Sequence, residues 1–123
     1  MTRKAFGKKN PNLPFHPAVR AGDFIFVSGQ VAKDENGVMF SGTIEEETQH
    51  CIEAVRRALQ SAGAELQDVV KATVFLEDAR DFGRYNGVFA KYFPDGMLAR
   101  TTVEARAAIS TKIEIEVIAY KPE

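Results

Sequence analysis

The sequence predicts a single α+β domain in which two helices cover one face of a mixed β-sheet. Its 123 residues are a common length for one domain, and 45% apolar with 27% charged residues is typical of globular proteins. The apolar residues form short β-branched and aromatic runs and two stretches of helical periodicity. Two helices cannot cover both faces of so wide a sheet. We therefore expect both on one face, and another subunit against the other face.

The N-terminal third is predicted to be mostly strands and loops. Residues 10–17 contain three prolines and predict an irregular loop. The run Phe24–Val27 is aromatic and β-branched, which predicts a strand ending at Ser28-Gly29. An additional strand is expected near residues 3–7, a turn at Asp34–Gly37, and a short returning strand at Val38–Phe40.

The segment from Thr43 to Ala62 gives the clearest helix signal. Thr43 with Glu46 three residues later predicts a capping box, in which side chains satisfy two free amide groups. Apolar residues recur every three or four positions and place Cys51 on the buried face. Gly63 is suited to the position just after the helix.

The remaining predicted elements are, in order, a strand, a helix and two strands. Val69–Leu76 predicts a strand, Asp78 an N-cap, and Pro94 the end of the second helix. The apolar stripe of that helix consists of Phe82, Tyr85, Phe89 and Tyr92. Strands are predicted at Thr101–Arg106 and Ile113–Tyr120. The last strand alternates, with Ile113, Ile115, Val117 and Ala119 on one face and Glu114, Glu116, Ile118 and Tyr120 on the other.

Composition and motifs argue against several classes of protein. A formal net charge of −1 without a basic stripe argues against electrostatic capture of nucleic acid. His16 and His50 have no partner at metal-ligand spacing, so no metal site is expected, and no glycine-rich nucleotide loop is present. Cys51 is expected to be a core residue. The sequence has no secretory signal and no apolar run of membrane-spanning length, so we expect a cytoplasmic protein.

Two features could support chemistry. Arg100 is predicted at the entrance to a strand, after the Pro94–Gly96 turn, where it is either a surface residue or an anion-binding group. Glu114 and Glu116 share a strand face. They are either acid and base groups or simply the polar side of a half-buried strand.

Four short motifs, taken in order, resemble the RidA (YjgF) family. They are Val27-Ser28-Gly29-Gln30 after an aromatic strand, Asn86 in the second helix, Ala99-Arg100-Thr101 before a strand, and Ile113-Glu114-Ile115-Glu116 near the end. The resemblance runs from about Pro14 to Tyr120. It implies a chorismate-mutase-like α+β fold that trimerises around a sheet-lined barrel, with clefts between adjacent subunits.

The resemblance also assigns roles to individual residues. It implies that Arg100 binds a substrate carboxylate and that Glu114 places the attacking water. It further implies that Ser28, the Gly29 backbone, Asn86 and the Thr102 backbone line or approach the pocket. Phe15 stands where the best-studied members have a tyrosine, so it is either an apolar wall of the cleft or a core residue. Thr102 stands where the family often has a cysteine, and Leu98 stands where it has a proline. These differences leave the identity of the substrate undetermined.

The activity implied by the resemblance is hydrolysis of 2-aminoacrylate-like enamines, through their imines, to 2-keto acids and ammonia. The implied partners are a small carboxylate-bearing substrate and two further copies of the chain, and no cofactor is expected. Three alternatives stay open. They are a deaminase of a longer unsaturated amine such as 2-aminomuconate, a non-catalytic trimer that binds small carboxylates, and an endoribonuclease.

Overall fold

A computed structural model describes residues 2–123, and within them the chain forms one six-stranded sheet and two α-helices. The strands are β1 (Arg3–Phe6), β2 (Ala18–Ala21), β3 (Phe24–Val31), β4 (Val69–Leu76), β5 (Ala99–Glu104) and β6 (Ile113–Tyr120). The helices are α1 (Ile44–Ser61) and α2 (Phe82–Tyr92). Single 3₁₀ turns at Leu66–Asp68 and Ala79–Asp81 precede β4 and α2.

The sheet is mixed, with the strand order β1-β2-β3-β6-β4-β5. All neighbouring strands are antiparallel except β4 and β5, which run parallel and are connected through α2. A parallel pair needs such a crossover, because a tight hairpin can join only antiparallel strands. The last strand, β6, therefore lies in the middle of the sheet, between β3 and β4.

The start and end of α1 confirm the predicted signals. The Thr43 hydroxyl accepts a hydrogen bond from the Glu46 amide at 3.1 Å, and the Glu46 carboxylate accepts one from the Thr43 amide at 3.0 Å. After Ala62, Gly63 adopts a φ of +82°, a left-handed conformation that a glycine reaches without strain.

Both helices lie on the same face of the sheet, as predicted. Helix α1 packs on β3 and β6, and α2 packs along α1. The alternation of β6 is confirmed, because Ile113, Ile115, Val117 and Ala119 are all buried on the helix side. Cys51 is fully buried, and its Sγ donates to the Gln30 carbonyl at 3.1 Å. Burial raises the pKa of this thiol far above its ordinary value, so it is unreactive as a nucleophile.

The opposite face of the sheet is open. Phe24, Phe26, Val103 and Tyr120 remain 40–46% exposed, and the rings of Phe24 and Tyr120 meet edge to face at 5.3 Å. An exposed apolar patch of this kind commonly marks an interaction surface. No helix among residues 2–123 is long and apolar enough to cross a membrane.

The structure of the N-terminal third differs from the sequence prediction in three places. Strand β2 was not predicted, because its sequence Ala18–Ala21 is short and contains an arginine. Strand β3 continues past Ser28-Gly29 to Val31, with an irregular register between Val27 and Gln30. The predicted strand Val38–Phe40 is wrong, since only an isolated bridge from Lys33 to Met39 forms there.

Two boundaries in the C-terminal half also differ. Asp78 caps the 3₁₀ turn, where its side chain accepts from the Arg80 amide, and α2 begins only at Phe82. Strand β5 starts at Ala99 and ends at Glu104, two residues earlier than predicted at each end. Arg100 therefore lies inside the strand rather than at its entrance, and the strand's hydrogen bonds fix its backbone.

Candidate functional site

A cavity of about 540 Å³ opens beside Glu114 at the edge of the open sheet face. Strand β6 provides Glu114, the irregular part of β3 provides Gly29, and the loop after β1 provides Phe15. The walls are mostly apolar, and the charged side chains lining the cavity are Lys8, Lys33 and Glu114. An apolar pocket with a few convergent polar groups is the usual form of a small-molecule site.

The β3 irregularity brings Gly29 against the Glu114 carboxylate. Val27 pairs with Val117, but the next pair is Gln30 with Ile115, so β3 contains one more residue than β6 over this step. Such a bulge re-aims side chains and is frequent beside active sites. A Cβ built on Gly29 would overlap the carboxylate of Glu114 and lie 3.0 Å from its Cδ. A side chain at position 29 would therefore displace the Glu114 carboxylate, whereas the backbone of Gly29, which does not have a positive φ, would accept other residues.

Glu114 differs from Glu116, although the two glutamates lie on the same face of β6. Glu114 is partly buried in the cavity, whereas Glu116 is exposed and pairs with Thr73. Burial raises the pKa of the Glu114 carboxyl above its ordinary value, and the negative charge of Glu116 raises it further. A carboxylate with a raised pKa binds a proton more readily, which suits a general base.

Ser28 holds the loop that contains Phe15. Its hydroxyl donates to the His16 carbonyl at 2.7 Å, and its amide donates to the Pro17 carbonyl at 2.9 Å. Phe15 itself is 50% exposed and lines the cavity, so it does not pack in the core. The loop and the bulge are thus one connected unit beside Glu114.

Arg100 lies elsewhere, on the helix side of the sheet. Its guanidinium carbon is 4.9 Å from the ring centre of Tyr85, 4.8 Å from Phe89 and 5.8 Å from Phe82. These distances permit cation–π attraction, which orients the guanidinium without using its N–H donors. Among residues 2–123 no carboxylate forms an ion pair with Arg100. The donors are therefore free to bind an external anion.

Asn86 and Thr102 lie near Arg100 rather than near Glu114. Asn86 lines a second cavity of about 420 Å³ together with Arg100, Phe89 and Leu98. Thr102 lies two residues along β5, and its hydroxyl forms a 2.6 Å hydrogen bond with the Tyr85 hydroxyl. This bond anchors α2 to β5 and so holds the aromatic rings that surround Arg100.

The predicted site residues thus form two groups on opposite faces of the sheet. Phe15, Ser28, Gly29 and Glu114 form one group at the open face, and Asn86, Arg100 and Thr102 form the other at the helix side. Among the described residues, no cavity contains both Arg100 and Glu114. One copy of the chain does not bring these two side chains together.

Sequence reasoning missed the loop that closes the Glu114 cavity. Ala108 and Ile109 line the cavity from the segment between β5 and β6. Glu47, which is 2% exposed, fixes the end of this segment by accepting from the Lys112 amide at 2.9 Å. The Glu47–Lys112 contact has no local signal in the sequence, because the two residues lie 65 positions apart in the chain.

Metal ligands are not clustered in the part of the chain that the structure describes. Within residues 2–123, no three histidine, cysteine, aspartate or glutamate side chains lie close enough to hold a metal ion. His50 stacks on Phe40 at 3.9 Å, and its Nδ1 contacts the Glu46 carbonyl.

These features define a small α+β protein with a glutamate cavity on the open face of its sheet and an aromatic-framed arginine on the helix side. Residues 7–121 match the family described as Endoribonuclease L-PSP. The chain belongs to this family, also known as YjgF/RidA. The resemblance seen in the sequence is therefore confirmed, as is the predicted α+β fold of the single chain.

Curated relatives and solved structures agree with this assignment. A RutC family protein of Pyrococcus abyssi is 44% identical over 90% of this chain and 89% of its own length. The 3-aminoacrylate deaminase RutC of Acinetobacter baylyi is 36% identical over 80% of this chain and 79% of its own. The crystal structure of RidA from an Antarctic Psychrobacter species has a TM-score of 0.86 at 27% identity, covering 95% of this chain and 98% of that one. The family thus includes deaminases of reactive intermediates.

Replacing Gly29 by alanine should move the Glu114 carboxylate. The added methyl group overlaps the carboxylate, which is the far end of a flexible side chain and can turn toward water. The pKa of Glu114 should then fall toward its ordinary value, as measured by NMR titration of the side-chain carboxyl carbon. Gly83→Ala is the matched control, since a Cβ there meets nothing within 4 Å. An unchanged Glu114 pKa in Gly29→Ala would contradict the proposed contact.

Proposed function

We propose that the protein hydrolyses the enamine and imine forms of 2-amino acids, 2-aminoacrylate among them, to 2-keto acids and ammonia. The main support is the Glu114 carboxylate, partly buried with a raised pKa in a largely apolar cavity, in a chain whose relatives include a deaminase. A carboxylate in such a place can orient a water molecule and accept its proton.

We propose further that the active unit is a homotrimer with its sites in clefts between subunits. Arg100 and Glu114 face opposite sides of the sheet in one chain, so a site that uses both requires two copies. The open face, with Phe24, Phe26 and Tyr120 exposed, offers an apolar surface for such an assembly. Arg100 of one subunit would then lie beside Glu114 of the next.

In this site Arg100 binds the substrate carboxylate. A guanidinium and a carboxylate form two parallel hydrogen bonds, which fix the plane of the imino acid as well as its position. The guanidinium is already held by the aromatic rings of Phe82, Tyr85 and Phe89. The Arg100 side chain therefore loses less conformational entropy when the substrate binds. The imine carbon is thereby presented to the Glu114 cavity.

Glu114 then activates water. Its carboxylate takes a proton as the water oxygen attacks the imine carbon and the C=N electron pair moves onto nitrogen. The Glu114 carboxyl then passes that proton to the nitrogen, which completes the addition of water. Glu114 next takes the carbinol O–H proton and delivers it to the same nitrogen, so the C–N bond breaks, the carbinol oxygen forms the keto group, and ammonia leaves. The net change is one imine and one water converted to one keto acid and one ammonia. Orientation and general base catalysis suffice for this already reactive substrate, so no cofactor is proposed.

Substitution of Arg100 tests the proposal. We expect Arg100→Ala to reduce kcat/KM for imine hydrolysis by a factor of 100 or more, since about 1.5–3 kcal/mol of charged hydrogen bonding and the substrate's orientation are both lost. Arg100→Lys should restore little of the lost activity. A lysine ammonium cannot form two parallel hydrogen bonds to a carboxylate, and it does not stack on aromatic rings as a guanidinium does. The imines would be generated in situ by an amino-acid oxidase, and ammonia release measured. Arg3→Ala, an exposed β1 position, serves as control.

Wild-type protein that binds keto acids without accelerating hydrolysis would instead support a carboxylate-binding trimer. RNA cleavage that survives Arg100→Ala and Glu114→Gln in pure protein would support the endoribonuclease alternative.

The pH dependence should report the Glu114 carboxyl. The deprotonated form is the base, so kcat/KM should fall as pH decreases through its pKa, which lies above that of an ordinary glutamate. Because Glu116 raises this pKa, Glu116→Gln should move the acidic limb to lower pH while leaving the plateau rate nearly unchanged. Glu114→Gln should remove the limb together with most of the activity. An acidic limb that stays in place in Glu116→Gln would count against Glu114 as the base.

A further inference from the structure

Lys33 is a second charged group in the Glu114 cavity, and neither the fold nor the proposed reaction explains it. The side chain is partly buried and lines both this cavity and an adjoining one of about 280 Å³. Among residues 2–123, no ion pair and no hydrogen bond involve its ammonium group. Its N–H donors are therefore available to an anion that enters the cavity.

The backbone of Lys33 is held firmly. Arg57 of α1 donates to the carbonyl groups of Lys33 and Asp34, both at 3.1 Å. An isolated bridge pairs Lys33 with Met39 across the turn that follows. The burial of Lys33 therefore comes from its own chain and does not depend on a partner subunit.

Arg57 and Lys8 add positive charge near Lys33, and the acidic residues that line the same two cavities are Asp34, Glu35 and Glu114. Burial lowers the pKa of the Lys33 ammonium, and the nearby Arg57 lowers it further. The carboxylate of Asp34 is used by its own turn, where it accepts from the Asn36 and Val38 amides at 2.9 and 3.0 Å. Lys8, which is exposed, lines the same two cavities and adds a positive charge at their mouth.

The size of the cavity also favours a ligand with a second charged group. A volume of about 540 Å³ lies within the range of pockets that enclose ligands much larger than a three-carbon imino acid. Apolar side chains, among them Phe15, Leu13 and Ile109, line the cavity that Glu114 and Lys33 share. Such a wall suits a short hydrocarbon chain with a charged group at its far end.

We propose that Lys33 binds a second, distal carboxylate, so that the preferred substrates are imines of 2-amino dicarboxylic acids. This inference rests on the proposed deaminase function and specifies its substrate class. Arg100 of one subunit holds the carboxylate next to the imine, and Glu114 of the next subunit places the water. Lys33, which lines the same cavity as Glu114, holds the carboxylate at the other end. The reaction is unchanged: water adds to the C=N bond, ammonia leaves, and a keto dicarboxylate is released.

The test compares two imines that differ in the distal group, 2-iminoglutarate and 2-iminopentanoate, generated in situ by oxidation of glutamate and norvaline. Wild-type protein should have a kcat/KM about tenfold or more higher for 2-iminoglutarate, the size expected for one charge-assisted hydrogen bond. Lys33→Gln should lose that factor for 2-iminoglutarate, mostly through KM, and leave 2-iminopentanoate within about twofold. Lys33→Arg should keep most of the preference, because it keeps the charge.

Lys91→Gln is the matched control, since Lys91 is an exposed α2 lysine that lines neither Lys33 cavity. Equal rates for the two imines in wild type, or equal losses for both in Lys33→Gln, would overturn the inference while the deaminase function stands. Absence of acceleration with either imine would remove the proposed function, and the inference with it.

Discussion

The pleat of the central sheet places Arg100 and Glu114 on opposite faces of the same chain, and the organisation of the site follows from this constraint. Arg100 pairs with Ala72 of β4, which is fully buried on the helix side, whereas Glu114 pairs with Phe75 on the open side. Successive side chains of a strand alternate between faces, so a change of rotamer cannot bring these two groups together. Chemistry that uses both side chains must be shared between copies of the chain.

Each half of the proposed site is positioned by its own surroundings. On the open face, the extra residue in β3 places Gly29 where the Glu114 carboxylate needs room, and Ser28 ties the Phe15 loop to the same point. On the helix side, the hydrogen bond between Tyr85 and Thr102 fixes the rings that frame Arg100. Both halves rest on rigid strands of the sheet, which favours accurate positioning.

The sequence was most informative where structure depends on neighbours in the chain. The capping box at Thr43, the left-handed Gly63 and the strands β4 and β6 all have local signals, and the structure confirms them. Strand β2 had no local signal. Its buried Arg20 donates a hydrogen bond to the Lys121 carbonyl, which lies 101 residues away in the chain. The site residues came from the family resemblance, but their separation onto two faces depends on the long-range register of β4 with β5 and β6. Lys33 precedes a predicted turn, where a lysine is usually exposed, so the sequence did not indicate that it lines the Glu114 cavity.

Complementation between inactive subunits tests the shared site most directly. Arg100→Ala and Glu114→Gln subunits would be co-expressed, purified as mixed assemblies through different tags, and assayed for imine hydrolysis. If each cleft takes Arg100 from one subunit and Glu114 from its neighbour, each mixed trimer has both groups in one of its three clefts, and about a third of wild-type activity returns. Mixed assemblies as inactive as either parent would contradict a site shared between copies.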